Sequence, residues 1–308
     1  MAEHTADRRQ PLAATGAGRV DTQRPRKPFP WGRIAIYVVL ILGLFQAIFP
    51  LLWMLSASLM SLTEVTFGYL LPGELRFSNY AEAWQKAQFA QFMWNSVRIT
   101  VITLAGQMLI CIPAAYAFAR MHFFGKNILF GIMLATLMIP DVATLIPNYL
   151  SVLWFGRLSE RLFGFGWINN WPALTIPFMA SAFTIFLLRQ FFMQIPEDLW
   201  DAARIDGAGH IRFLWSVVLP LSRAPIMTSV TFGFIGSWNA LLWPLLVTQT
   251  DEWRPIAVGL TKFVNSDAPT ELHLQMAAAV MMILPILVLY FFTQKSFTQG
   301  IASTGLKG

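Results

Sequence analysis

Six stretches of almost continuously apolar residues punctuate the chain, at about 34–55, 94–117, 127–147, 171–192, 224–247 and 277–297. Each is roughly 20 residues long, the length at which a helix rising about 1.5 Å per residue crosses a hydrocarbon core of about 30 Å. Between the first two lies the polar segment Ser56 to Gln91. Between the third and fourth, Trp154, Phe155, Leu158 and Leu162 alternate with Arg157, Glu160 and Arg161, the pattern of a short helix lying in a membrane interface. The pattern predicts an all-α, polytopic membrane protein with six transmembrane helices.

Composition agrees and narrows the class. Hydrophobic residues make up 56% and charged residues 12%, about half the usual charged share of a soluble domain, which argues against a water-soluble enzyme. Residues 1–33 read as a basic, disordered cytoplasmic tail with Arg8, Arg9, Arg19, Arg24, Arg26 and Lys27, and 34–308 as the membrane domain. The block from Ile34 to Leu55 is too long for the apolar region of a signal peptide and lacks a small-residue cleavage site. The single cysteine, Cys111, lies inside an apolar block and can form no intrachain disulfide.

The net charge of +6 might be read as a nucleic-acid footprint, but its placement says otherwise. Fifteen of the 22 Lys and Arg fall on one side of a six-span arrangement: seven in the tail, two in the 120–126 loop, four over 189–223 and two at the C-terminus. The positive-inside rule then predicts a multi-pass protein of the cell (inner) membrane with both termini cytoplasmic and no nucleic-acid partner.

The most informative polar segment is 195–220, between the fourth and fifth blocks. Pro196 suits the first turn of a helix, and Glu197 and Asp198 favour its positive end. Leu199, Ala202 and Ala203 share a face, Asp198, Asp201 and Arg204 share another, and Gly207 stops the helix. A second short helix is predicted from His210 to Ser216. Taken alone, this describes an ordinary amphipathic loop as well as a functional one.

Spacing distinguishes the two. Asp201-Ala202-Ala203, three residues, Gly207, nine residues, then Val217, Leu219 and Pro220 resembles the signature loop of ABC-importer permeases, which reads Glu-Ala-Ala, three residues, Gly, nine residues, Ile-x-Leu-Pro. Asp for Glu and Val for Ile are the departures. Arg204-Ile-Asp-Gly-Ala-Gly, Ser237-Trp-Asn239, Leu242-Trp-Pro-Leu-Leu-Val-Thr248, Pro255-Ile-Ala-Val-Gly-Leu and the ending Gly305-Leu-Lys-Gly308 are similar to the carbohydrate-uptake group, specifically its six-span, maltose-type permease.

The resemblance implies a permease subunit whose loop couples transport to ATP hydrolysis, with Asp201, Ala202, Ala203, Arg204, Asp206, Gly207 and Pro220 as the coupling residues. It also implies a second homologous permease subunit, two ATP-binding subunits and an extracytoplasmic solute-binding protein. ATP and Mg would belong to the ATPase partner. This chain has no G-x-x-x-x-G-K-[ST] phosphate loop, so it is expected to be no enzyme and to carry no cofactor. His4, His122, His210 and His273 are scattered without metal-ligand spacing.

Prolines recur within the blocks, at Pro50, Pro113, Pro140, Pro147, Pro177, Pro225, Pro244 and Pro285, and broken helices are tolerated in lipid where a cavity or a neighbour satisfies the freed carbonyls. Asp141 is an ionisable residue deep in an apolar block, and Asn239 lies at a similar depth in the fifth. With Asn148 and Trp238 they supply the carboxylate, amides and ring that a sugar site uses. Packing roles for Trp238 and Asn239 are the alternative. An importer of glycerol phosphate or polyamine and an ion-coupled secondary transporter are the rival readings. The former would call for intramembrane Arg or Lys in the case of a phosphate, and the latter has no ATPase to dock.

Overall fold

The structure, a computed structural model, describes residues 31–264 and 271–305. Residues 1–30 of the expected basic tail and Leu306–Gly308 of the closing motif lie outside the described residues, while Trp31 to Arg33 already belong to a helix.

Among the described residues all regular secondary structure is helical. In order, its helices are α1 (Trp31–Ala57), α2 (Leu62–Thr66), α3 (Ser78–Lys86), α4 (Phe89–Arg120), α5 (Lys126–Thr136), α6 (Asp141–Phe163), α7 (Trp171–Thr175), α8 (Ala182–Phe192), α9 (Glu197–Ile205), α10 (His210–Phe213), α11 (Leu219–Leu221), α12 (Arg223–Trp238), α13 (Leu242–Val247), α14 (Ile256–Gly259) and α15 (Leu272–Gly305). Four segments are long and apolar enough to span a membrane: Ile36–Ala57, Phe89–Arg120, Trp171–Phe192 and Leu272–Gln294. Two bent pairs bring the number to as many as six, α5 with α6 at 107° and His210–Leu221 with α12 at 81°. Each of the six apolar blocks overlaps one of these units, the fifth sharing only α12 with its bent pair and running on into α13.

The chain divides at Pro50 into two units. In the first, the described side chains from Ile36 to Phe49 are all exposed, as lipid-facing residues should be. The second holds the packed core.

Two differences from the sequence expectation have a common cause. The third block is not one straight span: Pro140 has no N–H to donate to the Thr136 carbonyl and its ring would crowd it, so α5 ends at Thr136 and a new helix starts at Asp141. The stretch 154–162 is the second half of that 23-residue helix, not a separate interfacial one. Likewise the fifth block stops at Trp238 and restarts at Leu242, with Pro244 in the first turn of α13.

Helix α4 is the centre of the second unit. Its buried face runs Asn95, Ser96, Ile99, Thr100, Thr103, Gln107, Cys111, Ala115 and Tyr116, at the i, i+3/i+4 spacing of one helix side. Much of that face is polar, and most of the polar groups have partners. Asn95 Nδ2 donates to the carbonyls of Glu252 (2.9 Å) and Arg254 (3.0 Å), and Ser96 Oγ accepts from the Ile256 N–H at 2.7 Å. Thr100 and Ser237 share a hydroxyl bond of 3.1 Å, and Gln107 Nε2 donates to Thr184 Oγ1 at 2.9 Å. Cys111 Sγ approaches the carbonyls of Met179 and Ser181. Pro113 lies inside the helix, two residues past Cys111.

Apolar packing surrounds this stripe. One cluster joins Phe89 and Phe92 of α4 with Trp238, Ile256, Phe263 and Leu274. A second joins the other end of α4 with Leu188, Phe192, Phe213 and Val218.

Buried Gly259 lies against the first cluster, and a Cβ there would stand 2.6 Å from Cδ2 of the fully buried Phe92 ring. Gly259→Val is therefore expected to cost about 1–3 kcal/mol by overpacking, read as a melting temperature several degrees lower in detergent. A second prediction concerns Asp251, which sits in the loop between α13 and α14. Its carboxylate accepts from Lys262 Nζ (2.7 Å) and Arg254 Nη1 (2.9 Å), and these bonds, the Lys262 one foremost, hold its pKa below the ordinary value against a smaller opposing effect of burial. A depressed folded pKa contributes stability above the unfolded pKa of about 4 and loses it as pH falls through the folded value. The protection of amides over residues 249–256, taken against the intrinsic exchange rate at each pH, should fall with acidification below about pH 4, and Asp251→Asn should abolish that dependence.

Candidate functional site

Two features stand at different points along α4: an exposed loop against its last turns and a cavity beside its middle. The loop begins as the sequence predicts. Pro196 precedes α9, Glu197 and Asp198 occupy its first turn, and Gly207 follows it in the left-handed region at φ +75°. There the Ala208 N–H donates to the Ala203 carbonyl at 2.8 Å and the Gly207 N–H to the Arg204 carbonyl at 3.0 Å. This pair of bonds is the Schellman arrangement that satisfies the last carbonyls of a helix. It needs a residue free to adopt positive φ.

Asp201, Ala202, Arg204, Asp206 and Gly207 are exposed, and Ala203 is half-buried. Asp201 and Arg204 face each other at 3.9 Å with both side chains about two-thirds exposed, a solvent-screened pair of little energetic weight. The loop also presents apolar tips that the spacing pattern did not single out: Ile205, Ile211 and Trp215. Exposed apolar side chains among charges are the composition of a surface that another protein covers.

The loop is fixed to α4 at several points. Trp200 stacks on His210 with ring centroids 4.4 Å apart and meets Phe213 edge-on at 5.0 Å. His210 Nδ1 is 2.9 Å from the hydroxyl of Tyr116. Arg120, on the last turn of α4, donates to the carbonyls of Phe192 and Ile195, where the chain enters the loop. On the far side, the segment Leu214–Val218 is a π-helical turn leading into Leu219 and Pro220. Such turns occur where an α-helical ladder is interrupted, and Pro220 has no N–H to continue it.

The cavity has a volume of about 560 Å³, within the roughly 300–1,000 Å³ of small-molecule sites. Thr103 and Gln107 line it from α4, Asp141 from the break between α5 and α6, Phe178 and Ser181 from the approach to α8, and Ser237 from α12. Among its lining residues there is no Lys or Arg. Small residues, Gly233, Gly236 and Ala240, keep the α12 side open.

Of the four residues expected in a substrate pathway, Asp141 lines this cavity and is exposed at the first turn of α6. Asn148 lines a separate groove with Ser151 and Trp167. Trp238 is 1% exposed, stacks on Phe234 at 5.2 Å and donates its indole N–H to the Met282 carbonyl at 3.1 Å. Asn239 is exposed and bonds back to the Ile235 carbonyl at 3.0 Å. The structure does not bring the four together, because α12 stops at Trp238 where a continuous span had been expected. Sequence reasoning missed Thr103, Gln107 and Phe178. The polar spacing of Ser96, Thr100, Thr103 and Gln107 inside an apolar block was the available signal for the first two.

Comparison with known proteins agrees with this geometry. The family model described as binding-protein-dependent transport system inner membrane component matches residues 107–303. The sn-glycerol-3-phosphate transport system permease protein UgpE of Brucella abortus (strain 2308) is 32% identical over 285 residues, covering 89% of this chain and 98% of that protein. Its counterpart in Yersinia enterocolitica is 30% identical over 280 residues, covering 88% and 96%. A solved structure of a bacterial ABC transporter involved in import of the acidic polysaccharide alginate aligns with a TM-score of 0.74 at 27% identity, over 87% of this chain and 99% of that one. A second alginate transporter structure, in complex with its pentasaccharide-bound periplasmic protein, shares the fold with a TM-score of 0.63 at 14% identity. With its spans, its exposed loop and a match over most of its length, the chain belongs to the family of inner membrane components of binding-protein-dependent transport systems.

Proposed function

We propose that this permease pairs with a second, homologous permease subunit and two ATP-binding subunits to import a sugar or oligosaccharide handed over by an external solute-binding protein. The observation that carries the ATP-driven part is the loop: an exposed helix with a small-residue face, capped at Gly207 and fixed through His210, Trp200 and Arg120 to the helix that lines the cavity. A docked ATPase that moves α9 would move the end of α4 with it. ATP and Mg would be held by the ATP-binding subunits, and both termini would face the cytoplasm on the same side as this loop.

The cavity lining supports an uncharged polyhydroxylated substrate. Hydroxyls, an amide, a carboxylate and aromatic rings suit a sugar's alternating polar and apolar faces. Glycerol phosphate is the second reading, favoured by the 32% identical relative. Against it, a phosphate would meet the Asp141 carboxylate with no Lys or Arg among the lining residues to offset the repulsion.

Gly207→Val places a β-branched residue at φ +75°, a strain of about 1–2 kcal/mol that disrupts the cap of α9. In proteoliposomes containing the assembled importer, uptake should fall at least about tenfold while ATP hydrolysis persists. Gly207→Asn, which tolerates this conformation, should stay near wild type. Normal uptake by the Val variant in a fully assembled complex overturns the coupling role. Uptake that follows a proton gradient and ignores ATP overturns the whole reading.

A further inference from the structure

We propose that Thr103, together with Gln107 and Phe178, forms a contact on this chain that reads the hydroxyls of an uncharged sugar ring, so that the subunit helps to select the substrate it passes. The inference rests on the sugar-import reading above and goes beyond it by naming the residues that discriminate.

The starting point is a hydroxyl without a partner. Thr103 is 4% exposed, yet its Oγ1 makes no hydrogen bond within the described chain. Helical Thr and Ser in apolar surroundings ordinarily donate to the carbonyl four residues back, and Thr228, Ser229, Thr231 and Thr293 all do so here. Thr103 does not use the carbonyl of Ile99, and it lines the cavity. A buried hydroxyl left in this state is unfavourable unless something else bonds to it.

One turn further along the same face, Gln107 spends its amide N–H on Thr184 Oγ1 at 2.9 Å, which fixes the side chain and leaves its carbonyl oxygen as an acceptor. That placement depends on Gly233, where a Cβ would stand 2.6 Å from Gln107 Oε1. Thr103 and Gln107 therefore offer a rotatable hydroxyl and a fixed acceptor one helical turn apart.

Phe178 supplies an apolar face. It is 41% exposed and lines the same cavity. Its ring meets Trp243 edge-on, with centroids 5.7 Å apart and planes at 82°, while the Trp243 indole N–H is spent on the Ala173 carbonyl at 2.8 Å. The Phe178 ring is thus oriented by a side chain that is itself anchored. An aromatic face and two hydrogen-bonding groups around one space match the two kinds of surface a sugar ring presents. The space is open at Gly236, where an added Cβ would meet nothing within 4 Å, so a larger residue there would occupy the cavity without displacing protein atoms.

The test uses the complete importer in proteoliposomes with its binding protein, and takes maltose, raffinose and sn-glycerol 3-phosphate as probes. Thr103→Val, which keeps the shape and removes the hydroxyl, should raise KM for a transported neutral probe about fivefold, the effect of one lost hydrogen bond. Thr103→Ser should restore it to within about twofold, and Gly236→Leu should block uptake while the complex still assembles. Unchanged KM in Thr103→Val, with sugar uptake intact, overturns the contact and leaves the import reading standing. Transport of sn-glycerol 3-phosphate in preference to both sugars overturns the reading itself. A further measurement holds whatever the probe panel gives: in the substrate-free complex in detergent, Thr103→Val should melt no lower than the wild type because the hydroxyl it removes is buried and unbonded, and a clearly lower melting temperature overturns the proposal.

Discussion

Inside a hydrocarbon layer no water is available to satisfy a polar side chain, so one on a spanning helix is costly unless protein or the contents of a cavity answer it. Helix α4 carries Asn95, Ser96, Thr100, Gln107 and Cys111 on one face, and they find partners on three neighbouring segments: Asn95 and Ser96 on 252–256, Thr100 on α12, and Gln107 and Cys111 on 179–184. Singly such bonds are worth only about 0.6–2 kcal/mol. Their directionality matters more than their sum. Apolar contacts would let helices slide and rotate against one another, whereas these bonds fix the rotation of α4 about its axis and its register against α8, α12 and α14. The cavity and the seat of the loop both inherit their geometry from that setting.

The parts of this architecture that depend on local chemistry were legible in the sequence. Four of the six apolar blocks correspond to the four long helices and the other two overlap the bent pairs, because apolar length is set by composition alone. The loop was legible in more detail, since Pro196, the acidic first turn and Gly207 act within a few residues of their own positions. What sequence could not supply was the consequence of prolines at the ends of blocks. Pro140 prevents the third block from continuing, so Asp141 begins a helix instead of lying midway along one. Trp238 and Asn239 were grouped with it by counting residues along an assumed straight span, yet Trp238 is turned into the core and Asn239 ends α12. Phe178 was invisible for another reason: it carries no local signal and matters only because of the space that forms beside it, whereas Thr103 and Gln107 stood in a legible polar stripe whose use depends on that same space.

The loop combines a cap that rigidifies α9 with exposed apolar tips at Ile205, Ile211 and Trp215, while its inner side is stitched to Tyr116 and Arg120. The cavity lies further up the same helix, walled by Thr103 and Gln107. Thr103 and Tyr116 are 13 residues apart, roughly 20 Å along the axis. No relay of side chains is needed to connect them, because both are side chains of a single continuous helix.

That helix is not uniformly stiff. Pro113 falls between Gln107 and Tyr116, and a proline inside a helix removes one hydrogen bond and crowds the carbonyl four residues before it, here that of Leu109. The polar bonds holding α4 from Asn95 to Cys111 lie on one side of this point, and Tyr116 and Arg120 lie on the other. The stretch of α4 bonded to its neighbours and the stretch that seats the loop are therefore separated by a turn with one backbone hydrogen bond fewer, the place where the continuous helix that joins them resists bending least.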